Sequence, residues 1–144
     1  MAYNVVDIAK YIVTYCNQKS SPISNLKLQK ILYYVWVDYY KETGKELFLD
    51  NICAWQLGPV VPEAYYEFCS FAGTAINRSF EVDIESNDIY ILNQIVDKYI
   101  DVPAHILVDR THQQGSPWHI IYKDGYGCRD IIPFSLIKSK ECGC

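Results

Sequence analysis

The 144-residue sequence has no apolar run that approaches the ~20 residues of a membrane-spanning helix, so we expect no membrane association. Neither GxGxxG nor GxxxxGKS/T follows a predicted strand, so the glycine-rich loops that hold nucleotide phosphates are missing. A basic stripe for nucleic-acid phosphates is missing too: the net charge is −4, and residues 51–100 carry two basic side chains against seven acidic ones. We therefore expect no nucleotide cofactor and no nucleic-acid partner.

The six cysteines show neither a disulfide framework nor a zinc pattern. Cys16, Cys53, Cys69 and Cys128 stand singly in apolar or mixed stretches, and we predict that they are thiols of the core. The close pair Cys142-Gly-Cys144 has no further ligand at a zinc-finger spacing. Because the N-terminal residues also lack the pattern of a signal peptide, the predicted location is the reducing cytoplasm.

The histidines give no arrangement for catalysis. His105 and His112 lie two turns apart on one predicted helix, about 10 Å along its axis, which is too far for both to bind one metal unaided. His119 belongs to another element, and Glu63 and Glu67 are typical of a solvated helix face. Spacing alone leaves a Cys/His pair open, but apolar neighbours make a thiol unreactive. We predict no catalytic, cofactor-binding or metal-binding residue, and hence no enzyme.

Half of the residues are apolar and 21% are charged, which is the composition of a folded globular protein. The length suits one domain spanning 1–144, with a core from about 5 to 140. Long amphipathic segments dominate, and only short stretches favour strands. We therefore predict an α+β fold that is predominantly α-helical: a single compact helical domain with a small two- or three-stranded β-sheet.

Apolar residues three and four positions apart predict the helices. The first begins at Val5 with Asn4 as its N-cap, and the second and longest runs from Ser24 or Asn25 to Gly44. Further helices are predicted from Pro62 to about Ala72, from a Ser86 cap to about Asp101, from Pro103 to about Gln114, from Ser116 over a short stretch, and from Pro133 to Lys140.

Two stretches favour β-strands. Residues 52–57 form a short β-compatible run that is closed by Gly58-Pro59. Residues 80–84 alternate apolar and acidic side chains, as in a half-exposed strand, and could pair with 52–57.

The second helix has a broad apolar arc and one polar stripe. Spacings of three and four residues align this stripe along a surface, and we predict protein binding by the stripe and by a tyrosine of the next helix: Lys27, Lys30, Tyr34, Asp38, Lys41 and Tyr66. The 13 tyrosines are enriched in interfaces as a residue type, although tyrosines at core edges or stacked on single-stranded nucleic acid are alternatives. The acidic 81–88 segment suits a basic partner or a solvated turn.

Residues 25–36 and 55–65, with Ser116-Pro-Trp118 and the isoleucines at 131, 132 and 137, resemble the Panacea domain of SocA-like antitoxins and of phage-associated proteins often called GepA. The resemblance covers about Val5 to Lys140. It implies a non-enzymatic antitoxin, commonly carried by a prophage or mobile element, that binds and neutralises a toxin encoded nearby. In the SocA case it also implies an adaptor that hands the toxin to a ClpXP-type protease.

The motif of this family falls on ten residues of the chain: Leu28, Gln29, Lys30, Tyr33, Trp55, Gly58, Pro59, Val60, Tyr65 and Trp118. The resemblance supplies no catalytic role for any of them, and we expect a structural role in which the helix packs against the Gly-Pro corner. Our hypothesis is a cytoplasmic antitoxin-like protein that masks a toxin. The alternative is a prophage regulatory or interaction protein that binds a host factor or nucleic acid, and a small hydrolase or transferase is a third hypothesis.

Overall fold

The structure is a computed structural model and describes residues 2–143, so Met1 and Cys144, one half of the predicted 142/144 pair, lie outside it. The elements in chain order are α1 (Val5–Gln18), α2 (Asn25–Thr43), β1 (Cys53–Trp55), β2 (Gly58–Val60), α3 (Pro62–Glu67), α4 (Ser86–Tyr99), α5 (Ala104–Thr111), α6 (Pro117–Tyr122) and α7 (Phe134–Glu141). Short 3-10 turns follow α3 and α6. The predicted class, α+β and mostly helical with a small sheet, is confirmed.

Helix α1 begins where the sequence predicts, and helix α2 both begins and ends there. The side chain of Asn4 accepts a hydrogen bond from the Val6 amide at 2.8 Å, and Ser24 Oγ accepts one from the Lys27 amide at 3.3 Å. Gly44 ends α2 in the left-handed conformation, with φ +71°, and its N–H donates to the Tyr40 carbonyl. Each residue type therefore satisfies helix-terminal groups that would otherwise lack a partner.

Helix α2 is the centre of the core. Helices α1, α3, α4, α5 and α7 and strand β2 all pack against it, so most of its circumference is covered. Trp36 is fully buried on α2, where its ring stacks between Tyr40 and Phe134, and its indole N–H donates to the Phe48 carbonyl at 3.0 Å. No helix within residues 2–143 has the length and apolarity to cross a bilayer.

The sheet differs from the one predicted. Strand β1 pairs antiparallel with β2, with Trp55 opposite Gly58 and Cys53 opposite Val60. The predicted strand 52–57 therefore stops at Trp55, and Gln56 and Leu57 form the two-residue turn of a hairpin. The Gly58-Pro59 pair does not close a strand but opens the second one. The φ of Gly58 is +113°, a conformation that only glycine adopts easily, and this allows the chain to reverse within two residues.

The predicted pairing of residues 80–84 with 52–57 is wrong. The other side of β1 is instead occupied by segment 129–132: the Ala54 amide donates to the Asp130 carbonyl at 2.8 Å and the Ile132 amide to the Ile52 carbonyl at 2.8 Å. Residues 80–84 form no strand, and the Phe80 amide donates to Thr14 Oγ1 of α1. An alternating pattern predicts a half-exposed extended chain but does not identify its neighbour.

Three helix boundaries also differ. Helix α3 ends at Glu67 and continues as the 3-10 turn Cys69–Phe71, which leaves Ala72 exposed. Ser86 is the first residue of α4 and not its cap; Glu85 takes that place without a side-chain hydrogen bond. Helix α5 ends at Thr111, earlier than the predicted Gln114. Such ends depend on local packing, which the apolar spacing does not encode.

The four cysteines predicted to be core thiols divide into two groups. Cys16 and Cys53 are buried, as predicted, and burial raises the pKa of the Cys16 thiol to about 11. Cys69 and Cys128 are exposed, so the prediction that they are core thiols is wrong. Cys69 lies in the 3-10 turn after α3, and Cys128 lies in the connection that follows α6.

Tyrosine hydroxyls join α4 to α1, to α2 and to Tyr3, which precedes α1. The hydrogen bonds run from Tyr3 and Tyr39 to Asp88, from Tyr11 to Asn93, from Tyr15 to Asp97, and back from Tyr99 of α4 to Asp38 of α2. Burial, with the bond to Asp88, raises the pKa of Tyr3 to about 12. Most of these tyrosines are therefore core-edge residues with a fixed hydroxyl acceptor, which supports the structural alternative for the tyrosine-rich composition.

Candidate protein-binding cleft

The predicted binding stripe of α2 is largely covered by other helices. Tyr34 stacks on Tyr99 of α4 with ring centres 5.1 Å apart, and Asp38 accepts a hydrogen bond from Tyr99 and pairs with Lys98 at 3.2 Å. Lys27 donates to the carbonyl of Ile100. These three side chains are half-buried and already have partners at α4, so protein binding by them stays a prediction.

Three further members of the predicted set lie in different surroundings. Lys30 is fully buried, Lys41 is exposed, and Tyr66 on α3 is 57% exposed. The Tyr66 ring lies near Trp55 of β1, with centres 6.2 Å apart, and not on the face of α2. A partner can reach Lys41 and Tyr66 in this structure, whereas Lys30 is enclosed by protein.

Lys30 connects α2 to the hairpin. Its Nζ donates to the Pro59 carbonyl at 2.9 Å, and burial lowers the pKa of this amine to about 7. Gly58 lies against the same side chain: an added Cβ would come within 2.9 Å of Lys30 Cε and 2.7 Å of Thr111 Oγ1. Glycine is therefore required at position 58 for both its φ angle and the close approach of α2 and α5.

Two buried amides attach the start of α3 to α2. Gln29 Oε1 accepts the Val61 amide at 2.9 Å, and Gln29 Nε2 donates to Asn25 Oδ1 at 3.0 Å. Asn25 in turn donates to the Tyr65 carbonyl at 3.0 Å. These bonds hold Tyr65 close to α2. Leu28 and Tyr33, two further residues of the family motif on α2, are buried in the core.

The far side of the hairpin is held by α5 and α6. The indole N–H of Trp118 donates to the Trp55 carbonyl at 2.7 Å, and the Trp118 ring stacks on His112 at 3.9 Å between centres. His112 Nε2 is buried without a hydrogen-bond partner among residues 2–143, and burial followed by the nearby charge of Lys30 lowers the histidine pKa. His105 and His119 are exposed, and no His, Cys, Asp or Glu group of the described chain has a metal-binding arrangement.

An open cleft of about 410 Å³ lies between the hairpin, the start of α2 and segment 128–129. The residues that line it are Asn25, Leu26, Gln29, Trp55, Gln56, Leu57, Val60, Tyr65, Ala72, Cys128 and Arg129. Trp55 and Tyr65 meet edge to face on its wall, with ring centres 4.9 Å apart. Leu57, at the turn of the hairpin, is 52% exposed, so apolar area continues from the cleft onto the surface.

Arg129 adds the positive charge of this cleft. Its backbone N–H donates to the Ala54 carbonyl, and its φ is +71°, an uncommon value for a residue other than glycine. This backbone position places the guanidinium 4.3 Å from the centre of the Trp55 ring, within cation–π range. The lining residues include neither a carboxylate nor a histidine, and the cleft offers apolar area, amides, the Cys128 thiol and one cation.

The predicted site residues do not identify this cleft. Trp55, Val60 and Tyr65 belong to the family motif, for which we expected structural roles, and Gln29 is occupied by backbone bonds. Leu57 and Arg129 were not predicted at all. The sequence signal for Leu57 is an apolar residue beside a two-residue turn, whereas Arg129 becomes visible only when segment 129–132 is seen to pair with β1.

The comparisons with known proteins agree with the resemblance. Residues 28–119 match the family described as "Antitoxin SocA-like, Panacea domain". The chain is also 33% identical over 113 residues to "Antitoxin SocA" of Caulobacter vibrioides (strain NA1000 / CB15N), an alignment that covers 69% of this chain and 60% of that protein. The chain thus spans about 60% of the length of this curated relative. No solved structure shows significant similarity to the chain.

Proposed function

Because the chain belongs to the SocA-like antitoxin family with its Panacea domain, we propose that it binds a toxin protein and neutralises it by covering the toxin's surface. The family match carries this proposal. It spans residues 28–119, and therefore includes the buried helix α2, the hairpin and the Trp118 contact that holds the hairpin in place.

The chemistry of the cleft supports binding without catalysis. Its walls combine an exposed leucine with aromatic rings and a guanidinium, and the latter two kinds of group are enriched in protein interfaces. Neutralisation then follows from occupancy alone, in which one toxin molecule is masked for each antitoxin bound. We place this function in the cytoplasm, where free cysteines such as the exposed Cys69 and Cys128 stay reduced.

Co-expression with neighbouring genes tests the proposal. Each adjacent reading frame is expressed alone and together with this chain, and growth and co-purification are measured. We expect one product that stops growth alone, permits growth with the antitoxin, and co-purifies with it. A Gly58→Ala variant, in which the hairpin cannot approach α2, serves as a control that abolishes rescue. The proposal is wrong if no neighbouring product is both toxic and bound.

The adaptor role that the resemblance implies has its own readout. If the protein also hands the toxin to a ClpXP-type protease, the half-life of the toxin shortens when the antitoxin is present and lengthens when the protease is deleted. Neutralisation by masking alone leaves the half-life unchanged or prolongs it. Pulse-chase measurement of tagged toxin in the two backgrounds separates these outcomes.

A further inference from the structure

The guanidinium of Arg129 has no partner for its N–H groups. Within residues 2–143 it forms neither a hydrogen bond nor an ion pair, and its side-chain contact is with the Trp55 ring. The adjacent Asp130 forms no ion pair with it within the described residues. An arginine presents five N–H donors in a fork that matches a carboxylate. The unmet chemistry at this edge of the cleft is therefore that of an anion.

The rest of the cleft is mostly apolar, so a ligand that fits it has apolar surface beside its anionic group. Trp55, Tyr65 and Val60 form a wall without charged groups, and Leu57 extends it onto the surface. The exposed Tyr66 ring lies 5.7 Å from Tyr65, so the apolar surface also continues toward α3. A small molecule inside the cleft would leave Leu57 and Tyr66 in water, whereas a polypeptide lying across it would cover both.

We propose that this cleft is the toxin-binding surface, and that it takes a toxin segment in which an aromatic or aliphatic side chain is flanked by Asp or Glu. The apolar side chain packs on Trp55 and Tyr65, and the carboxylate pairs with Arg129. The inference rests on the proposed function for the identity of the partner, while the chemistry of the segment follows from the cleft. Nucleic acid does not fit, because the cleft has one arginine and the chain has a net charge of −4, which cannot neutralise a phosphate backbone.

Charge reversal with matched controls tests the surface on the toxin found by the growth assay. Arg129→Glu is compared with Arg78→Glu, since Arg78 is also exposed and lies over an aromatic ring, 5.5 Å from the centre of Phe80, away from the cleft. Leu57→Asp is compared with Leu49→Asp, because Leu49 is 60% exposed outside the cleft. We expect Arg129→Glu and Leu57→Asp each to weaken toxin binding about tenfold or more, and the controls to change it less than about twofold.

A compensating change identifies the carboxylate. An Asp or Glu of the toxin replaced by Lys should restore binding to Arg129→Glu but not to Leu57→Asp. If neutralisation by the unaltered antitoxin is observed and neither cleft variant weakens binding, the surface inference is overturned while the antitoxin function stands.

A random 12-residue peptide library displayed on phage tests the chemistry without a toxin. Selection on the full chain should enrich peptides with Asp or Glu next to an aromatic or aliphatic residue, and these peptides should bind Arg78→Glu but not Arg129→Glu. Enrichment of this class together with failure to find a neutralised toxin would count against the proposed function only. An absence of acidic-apolar peptides, or equal binding to Arg129→Glu, overturns the inference.

Alkylation of Cys128 reports occupancy directly, because this thiol is exposed and lines the cleft. Bound toxin should slow the reaction of Cys128 with a maleimide about tenfold or more, while the exposed Cys69, which does not line the cleft, reacts at an unchanged rate. Mass spectrometry of the two cysteine-containing peptides measures both rates in one sample. Equal rates for Cys128 with and without toxin contradict the proposal.

Discussion

On the side of α2 that faces α4, tyrosine hydroxyls and carboxylates satisfy one another, whereas at the hairpin end of α2 the Arg129 guanidinium has no acceptor within residues 2–143. Both regions combine aromatic rings with charged side chains, although the cleft at the hairpin end has Arg129 as its one charged residue. They differ in whether the partner of each polar group lies in the same chain. The comparison teaches that the tyrosine-rich face is an internal contact, whereas at the hairpin end the Arg129 guanidinium is available to bind an acceptor on another molecule.

The largest expected effect comes from Gly58→Ala, which breaks the attachment of the hairpin to α2. The new Cβ would come 2.7 Å from Thr111 Oγ1 at a φ of +113°, so we expect a loss of about 3 kcal/mol or more in the free energy of unfolding. Urea denaturation measures it. Gly44→Ala, with φ +71° and no atom within 4 Å of the added Cβ, should lose only about 1 kcal/mol. Equal losses would contradict the close-approach explanation.

The buried amine of Lys30 should make stability depend on pH. Its pKa is about 7 in the folded chain and 10.5 when exposed, so between these values the unfolded chain holds a proton that the folded chain has released. The free energy of unfolding therefore rises with pH in this window. We expect it to increase by about 2 kcal/mol from pH 7 to pH 9 relative to Lys30→Met.

Urea titrations of both proteins at each pH provide this difference, and the titration of groups that Lys30 does not influence cancels in it. Parallel pH profiles for the two proteins would show that the Lys30 amine stays protonated in the folded chain. Below pH 7 the Lys30 amine is protonated in both the folded and the unfolded chain, so burial of its charge destabilises the folded chain by the full amount.

Asp88→Ala should destabilise the tyrosine-rich contact between α2 and α4. The change leaves the hydroxyls of Tyr3 and Tyr39 without their acceptor, and we expect a loss of between about 1 and 2 kcal/mol in the free energy of unfolding. Thermal or urea denaturation is the measurement. Asp83→Ala is the matched control, because Asp83 is exposed in the same acidic segment and forms no side-chain hydrogen bond or ion pair with the described residues. A similar loss in both variants would assign the effect to net charge.

The smallest effect on the free energy of unfolding is expected in the cleft at the hairpin end of α2. Arg129→Ala removes an exposed side chain whose contact is with the ring of Trp55, so the free energy of unfolding should change by less than about 0.5 kcal/mol. The same variant should weaken toxin binding. A large loss of stability would instead give Arg129 a structural role and remove the contrast between the two regions.

The helices of the fold follow from the sequence because their signals are local. Asn4, Ser24 and Gly44 each act within one turn of their own helix, so residue type and position are enough to place them. The family resemblance rests on short stretches that are recognisable without any tertiary contact, and the match over 28–119 confirms the family. Class, helix order and family were therefore accessible before any tertiary contact was known.

The structure alone decided the partners of each element. The stripe Lys27, Tyr34 and Asp38 has the same spacing whether water or α4 faces it, and only the packing of α4 shows that it is covered. Likewise, β1 pairs with β2 and with 129–132, a segment more than seventy residues away in the chain, and that pairing brings Arg129 to Trp55. Periodicity specifies which way a side chain points from its own element, whereas contacts between distant segments depend on how all the elements share one core.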